Sequence, residues 1–135
     1  MSGEDKDKVT IVVSVDEERL GAIIGTKRST ERKIEKSLGV KIRARPDRGE
    51  VIIIASRDNI ENALKAKMVI EAIAHGFSPQ NAFILIDRPD YILEKVNIEE
   101  YARSRKDLRR IKSRLIGRGG KIRMKLEDEL NVKIS

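Results

Sequence analysis

Glycine, arginine and lysine come together once in this chain in a pattern that can hold phosphate. The stretch Leu115-Ile116-Gly117-Arg118-Gly119-Gly120-Lys121 sets three glycines among two cations. Glycine reaches backbone conformations closed to other residues and lets a ligand approach main-chain N–H groups. A turn of this kind directly before a helix offers unsatisfied N–H donors to an anion, and the helix dipole favours negative charge there. Arg118 and Lys121 add full positive charges at the same place. The chemistry this suggests is the gripping of a phosphodiester backbone, with the bases laid across a neighbouring apolar groove, rather than the making or breaking of bonds.

A helix on either side must position the turn. Leu108, Ile111, Leu115 and Ile116 recur at helical spacing before the glycines, and Ile122, Leu126 and Leu130 recur every four residues after them. Asn131 stands where a left-handed cap can end the second helix. Val132, Lys133 and Ile134 then alternate like the start of a strand. From Arg103 to Arg123 the chain is rich in Arg and Lys, with Arg109, Arg110, Lys112 and Arg114 leading into the turn and Asp107 the only acid. A basic stripe centred on a glycine turn is an electrostatic footprint for nucleic acid.

The whole chain of 135 residues has 29 Lys and Arg against 22 Asp and Glu, a formal charge of +7, which favours an anionic partner. It has no cysteine and a single histidine, His75, so disulfide frameworks, cysteine metal sites and histidine clusters are excluded. No metal or cofactor is expected. No apolar run is long enough to span a bilayer and no signal-peptide pattern opens the chain. The expectation is a cytoplasmic protein without a membrane partner.

Enzyme chemistry has little to build on. The nucleotide loop G-x-x-x-x-G-K-[ST] is absent, since Leu115 replaces its first glycine and Ile122 follows the lysine. Asp87, Asp90, Glu99 and Glu100 read as loop acids, and Glu127, Asp128 and Glu129 as a solvated helix face. No catalytic residue is assigned. Tyr91 and Tyr101 could stack on bases but read better as packing residues.

Taken in order, the chain opens with a polar tail, Met1 to Lys8. Val9 to Val15 reads as a strand with Val9, Ile11, Val13 and Val15 on one face. Asp16 can cap a helix through Ile24, with Leu20, Ile23 and Ile24 inward. Gly25-Thr26-Lys27-Arg28 breaks the pattern, and Ser29 or Thr30 can cap the next helix, which carries Ile34 and Leu38 and ends at Gly39. Val40, Ile42 and Ala44 share a strand face; Pro46 to Gly49 turns; Val51 to Ala55, apolar on both faces, is a central strand. Ser56 to Asn59 caps a long helix with a stripe of Ile60, Ala63, Leu64, Lys67, Ile70 or Glu71, and Ala74, widened by Val69 and Ile73. Pro79 can start a further helix through Ile86. Tyr91, Ile92, Leu93 and Val96 are apolar enough to pack on a neighbouring domain, and Val96 to Ile98 is a candidate strand.

The two halves repeat. Ile24-Gly25 falls on Ile116-Gly117, Ile34 on Leu126, Leu38 on Leu130, Gly39 on Asn131, and Val40-Lys41-Ile42 on Val132-Lys133-Ile134, each pair 92 positions apart as Gly25 is from Gly117. A repeat of this kind means two copies of one folding unit.

Ile116 to Gly120 between its two helices resembles the I-G-x-x-G core of a KH domain, a module for single-stranded RNA or DNA. The order strand, helix, turn, helix, strand, strand, helix over the first half is similar to a type I KH domain. The resemblance implies an α+β fold: a three-stranded sheet packed on three helices over residues 9–76, a helical linker over 77–95, and the front part of a second KH domain over 96–135. By the same resemblance Arg110, Arg114, Ile116, Gly117, Arg118, Gly119, Gly120, Lys121 and Arg123 are the RNA-binding residues. Two departures stand out. Arg28 occupies the closing-glycine position of the first loop, which weakens its grip and leaves Lys27, Arg28, Arg32 and Lys33 as secondary RNA contacts. Arg123 stands where KH sequences commonly place isoleucine.

A first KH without its closing glycine, followed by the basic run Leu108 to Lys121, resembles the archaeal two-KH proteins related to the KRR-type and partner-of-Nob-type factors of pre-ribosomal RNA processing. This implies a non-catalytic protein that binds single-stranded ribosomal RNA and assists small-subunit RNA maturation beside a nuclease or a ribosomal assembly protein. The alternative is an interaction scaffold for such a partner with little RNA binding of its own. The chain stops at Ser135 as the second middle strand begins, so an exposed edge at Val132 to Ile134, mobility or self-association is expected of the second unit.

Overall fold

Valines and isoleucines at alternate positions give the first part of the chain its sheet. The structure is a computed structural model that describes residues 7–135. The expected tail lies outside the described residues as far as position 6, and Lys8 already belongs to a strand. Two compact units divide the chain, Met1–Leu93 and Glu94–Ser135.

In the first unit, strands β1 (Lys8–Ser14), β2 (Lys41–Arg45) and β3 (Glu50–Ser56) form one antiparallel sheet in the order β1-β3-β2. The register places Ile11 and Ile42 on either side of Ile53, and Val13 and Ala44 on either side of Val51. A period of two therefore sends these residues to one face. Helices α1 (Glu17–Ile24), α2 (Ser29–Leu38) and α3 (Ile60–Ala74) supply the opposing layer. Ile23, Ile34, Ile42, Val51, Ile53, Val69, Ile70 and Ile73 are fully buried in the resulting core. This is the three-stranded sheet on three helices that the sequence implied, with the central strand as expected.

Several details differ. The α3 stripe turns further round than expected: Ala63, Ala66, Val69, Ile70, Ala72 and Ile73 are buried, whereas Ile60 and Leu64 are 45% and 52% exposed. Alanines give the contact face its close approach, and the larger residues of the first turns stay outside. Neither Ser29 nor Thr30 caps α2, because the helix leaves directly from a left-handed Arg28 and makes no side-chain cap bond. Pro79 to Ile86 is not one helix but two short ones, α4 (Pro79–Ala82) and α5 (Ile84–Asp87), with Ser78 capping the first. Ala82 and Leu85 are buried in the core of this unit, and Phe83, Ile86, Tyr91 and Leu93 pack against it. Ile92 and Val96, expected to pack as well, are exposed.

One side chain ties the first helix to the end of the third. Arg19 Nε donates to the Ile73 carbonyl at 2.9 Å and its Nη2 to the Phe77 carbonyl at 3.0 Å. Ile73 is in the last turn of α3 and Phe77 follows three residues after its end, so the guanidinium sits at a helix C-terminus, where a cation is favoured by the dipole as well as by the hydrogen bonds. Arg19→Ala is expected to lower the stability of this unit by about 2 kcal/mol, since hydrogen bonds from charged donors contribute more than neutral ones. An unchanged urea midpoint would contradict the assignment.

The second unit consists of α6 (Arg105–Ile116) and α7 (Lys121–Leu130) with a single 3-10 turn, Ile98–Tyr101, ahead of them. No strand forms at Val96 to Ile98 or at Val132 to Ile134. Alternation alone does not make a strand; a paired neighbour does. Val132 and Ile134 instead bond to the preceding helix, the first to the Glu127 carbonyl at 3.1 Å and the second to Glu127 Oε2 at 3.0 Å. Asn131 does take the left-handed cap, with φ 53 and ψ 50.

Candidate nucleic-acid interface

The loop between α6 and α7 owes its shape to three glycines with positive φ. Gly117 has φ 75 and ψ 173, Gly119 has φ 63 and ψ 22, and Gly120 has φ 77 and ψ 14. Gly117 also allows a close approach: a Cβ there would lie 2.8 Å from the Ile122 backbone nitrogen. The helix before the loop ends when Gly117 N–H donates to the Ser113 carbonyl at 2.8 Å, and Gly120 N–H closes the turn on the Gly117 carbonyl at 3.2 Å. A Cβ on Gly119 would meet nothing within 4 Å. That side of the loop is open to a ligand.

Cations surround it. Arg114, Arg118, Lys121 and Arg123 are exposed, and among the described residues they form no ion pair. Arg110 is held differently. Its Nε and Nη2 donate to Asp107 Oδ1 at 3.0 and 2.6 Å. Asp107 is in turn part of the start of α6. Its N–H donates to Ser104 Oγ at 3.1 Å, and its Oδ2 accepts from the Arg103 N–H at 2.9 Å. The Arg103 N–H, and after it Arg110, hold the Asp107 carboxyl below the usual aspartate range. Sequence reading missed this arrangement, although a serine three residues ahead of an acid is its signal. Ile116, Leu115 and Ile122 are 49%, 44% and 43% exposed, so the apolar side chains beside the loop are open rather than core.

The first unit repeats this loop in atomic detail. Gly25 has φ 78 and ψ 168, Lys27 φ 53 and ψ 36, Arg28 φ 62 and ψ 25. Arg28 N–H closes the turn on the Gly25 carbonyl at 3.2 Å. Two side-chain-bearing residues thus occupy the left-handed region that glycine fills in the second loop. The four secondary candidates are dispersed in role. Arg28 Nε donates to Glu31 Oε2 at 2.6 Å, and that bond with the charge behind it makes the guanidinium more firmly protonated than usual. The Lys33 ammonium sits 4.7 Å from the centre of the Phe83 ring. Lys27 and Arg32 are exposed.

The repeat extends to a bond that the sequence reading did not mark. Ile42 N–H donates to Glu35 Oε2 at 2.9 Å, and Ile134 N–H donates to Glu127 Oε2 at 3.0 Å. In both units a helix glutamate ties down the segment after the left-handed cap. Among the described residues, no group of three or more His, Cys, Asp or Glu side chains is placed to hold a metal ion. None of the described helices is long and apolar enough to cross a membrane.

Residues 10–68 match the family model described as KH domain. A KH domain-containing protein of Methanocaldococcus jannaschii is 35% identical over 133 residues, which is 96% of this chain and 57% of that protein. The chain thus spans somewhat over half the length of this curated relative. The crystal structure of Dim2p from Pyrococcus horikoshii is similar at 31% identity and a TM-score of 0.84, over 94% of this chain and 75% of that one. A protein of unknown function from Aeropyrum pernix is similar at 35% identity and a TM-score of 0.88, over 95% of this chain and 69% of that one. A chain of the a/eIF2alpha-aDim2p-rRNA complex from Pyrococcus horikoshii is similar at 31% identity and a TM-score of 0.88, over 100% of this chain and 75% of that one.

Proposed function

Because the chain belongs to the KH-domain family and is homologous to the archaeal Dim2p-type factors of ribosomal RNA processing, we propose that it binds single-stranded ribosomal RNA without catalysing a reaction on it. Gly117 to Gly120 clamp the sugar-phosphate backbone, and the protein assists small-subunit RNA maturation. One observation carries this reading: a positive-φ glycine loop opens directly onto a helix N-terminus and is ringed by exposed, unpaired cations. Phosphate contacts from Arg114, Arg118, Lys121 and Arg123 set position, and bases laid against Ile116 and its neighbours set preference. Arg110 joins only by sharing its guanidinium with Asp107. Protein partners follow the same line. The relative found in a complex with both rRNA and a/eIF2alpha supports a protein-bound state here as well. A maturation nuclease or ribosomal assembly protein, and self-association through the exposed apolar side chains of α6 and α7, belong to the same proposal, as does a cytoplasmic location.

Binding through about four phosphates predicts a slope of log K against log salt near −3, from about −0.7 per phosphate on a single strand. Fluorescence anisotropy with a short single-stranded RNA at two or more salt concentrations measures it. A salt-independent affinity, or equal binding to duplex RNA, would defeat the clamp reading. Absence of binding altogether would favour the scaffold reading.

A further inference from the structure

The two loops share a backbone and differ in charge at several corresponding positions, Thr26 and Ser29 standing where the second loop has Arg118 and Lys121, and two further differences lie at and beside the closing position. In the first loop these are Arg28 and Glu31; 92 positions on, as from Gly25 to Gly117, they are Gly120 and Arg123. Glu31 is 3% exposed. Its carboxylate accepts from Arg28 Nε at 2.6 Å, and Arg28 Nη2 lies 3.8 Å from Glu35 Oε1. Glu35 is itself anchored, through its other oxygen, by the Ile42 N–H. In the second loop Gly120 brings no side chain. Arg123 Nη2 lies 3.8 Å from where a Cβ on Gly120 would stand, and Arg123 forms no ion pair among the described residues. A guanidinium therefore stands at or beside the closing position of each loop, but only in the first is it paired with a carboxylate among the described residues.

We infer that Glu31 is a built-in anion that takes the place of a phosphate at the first loop, so that the pairs 28/31 and 120/123 decide which of two alike loops grips nucleic acid. This rests on the reading of the second loop as the clamp. A phosphate arriving at the first loop has to displace a tethered carboxylate from Arg28 and sit beside the charges of Glu31 and Glu35. Displacement would strand a buried glutamate without its partner, which is strongly unfavourable. At the second loop Glu127 still stands at the position of Glu35, but no carboxylate has to be displaced from a guanidinium, and Arg123 in place of Glu31 is added to the cations available. Lys27 and Arg32 alone leave the first loop a weak, diffuse attraction. A purely structural pair, holding the left-handed Arg28 in place, would leave RNA affinity indifferent to the charge at position 31.

The test uses the full chain with its second loop disabled by Arg118→Asp and Gly119→Asp, titrated with a short single-stranded RNA by anisotropy. Loss of binding in this host relative to the native chain checks the clamp reading by itself. Within the host, Glu31→Gln keeps the side-chain shape and removes the charge. It is expected to raise affinity by about tenfold at low salt and to steepen the salt slope, as an added phosphate contact requires. Arg28→Gly with Glu31→Arg, which transplants the second set, is expected to raise it further. A folded Glu31→Gln host that binds no better than its parent overturns the inference. Should Glu31 variants unfold, the exposed second loop decides. Gly120→Arg with Arg123→Glu in the native chain must bind at least about tenfold more weakly than Gly120→Arg with Arg123→Gln, and with a shallower salt slope. Equal affinities there overturn the inference too.

Discussion

Replacing Arg118 and Gly119 together by aspartate is expected to lower affinity for short single-stranded RNA by about a hundredfold at low salt, with the far-ultraviolet circular dichroism unchanged. Two features make this a test of contact rather than of folding. Arg118 is exposed and unpaired among the described residues, so its loss breaks nothing inside the protein. Gly119 has open space around its missing Cβ. Its positive φ does add strain for a side chain, but Lys27 holds the corresponding position of the first loop at φ 53. An aspartate can therefore be accommodated in this turn. What changes is the charge facing the phosphates: a cation is removed and two anions are introduced where the backbone of the RNA must lie. Anisotropy of native and variant chains with the same labelled RNA reads the difference. Equal affinity would move the binding surface away from Gly117 to Gly120, to the remaining basic face of α6 or to the first unit.

The repeat was the most informative signal in the chain, and it carried the fold a long way. Glycine and apolar positions recurring across the two halves matched the two loops and the two left-handed caps to each other, while the order of elements in the first unit came from its own alternation, helical spacing and turn residues. The central strand was legible because Val51 to Ala55 is an unbroken apolar, mostly β-branched run, of which Val51, Ile53 and Ala55 are buried. Ion pairing was not. Arg28 and Glu31 stand three apart on a helix start, a spacing that brings side chains together, yet the basic residues around the loop were read as one set of phosphate contacts. The sequence shows charge; it does not show which charges are already spent on neighbours, and Arg110 and Lys33 teach the same lesson through Asp107 and Phe83. The two absent strands failed for a different reason. Val96 to Ile98 and Val132 to Ile134 have strand-like residues, but sheet structure is a property of pairs, and each lacks a neighbour within its unit. What the second unit's helices do keep is the glutamate tie from Glu127 to Ile134, the same bond that Glu35 makes to Ile42 where β2 is fully paired.

Gly25→Ala is expected to cost the first unit about 3 kcal/mol, more than most single surface changes, because it combines a strained backbone with a collision that cannot relax. The residue sits at φ 78 and ψ 168, a region reserved in practice for glycine. Its added Cβ would stand 2.5 Å from Thr30 Oγ1, 2.7 Å from the Thr30 backbone nitrogen and 2.8 Å from Ser29 Oγ. A hydroxyl can rotate away; the Thr30 nitrogen belongs to the first turn of α2 and cannot. Relief would require shifting α1 against α2, and both carry fully buried residues, Ile23 on the one and Ile34 on the other. Gly117→Ala makes the same collision with the Ile122 nitrogen at 2.8 Å, but no residue of α6 or α7 is buried. One chemical change should therefore have two outcomes. At Gly25 it lowers the urea midpoint of the cooperative transition with an unchanged slope. At Gly117 it leaves that transition nearly in place and weakens RNA binding by distorting the loop. A Gly25→Ala chain that unfolds at the native midpoint would mean that the first loop yields more easily than the packing of α1 and α2 allows.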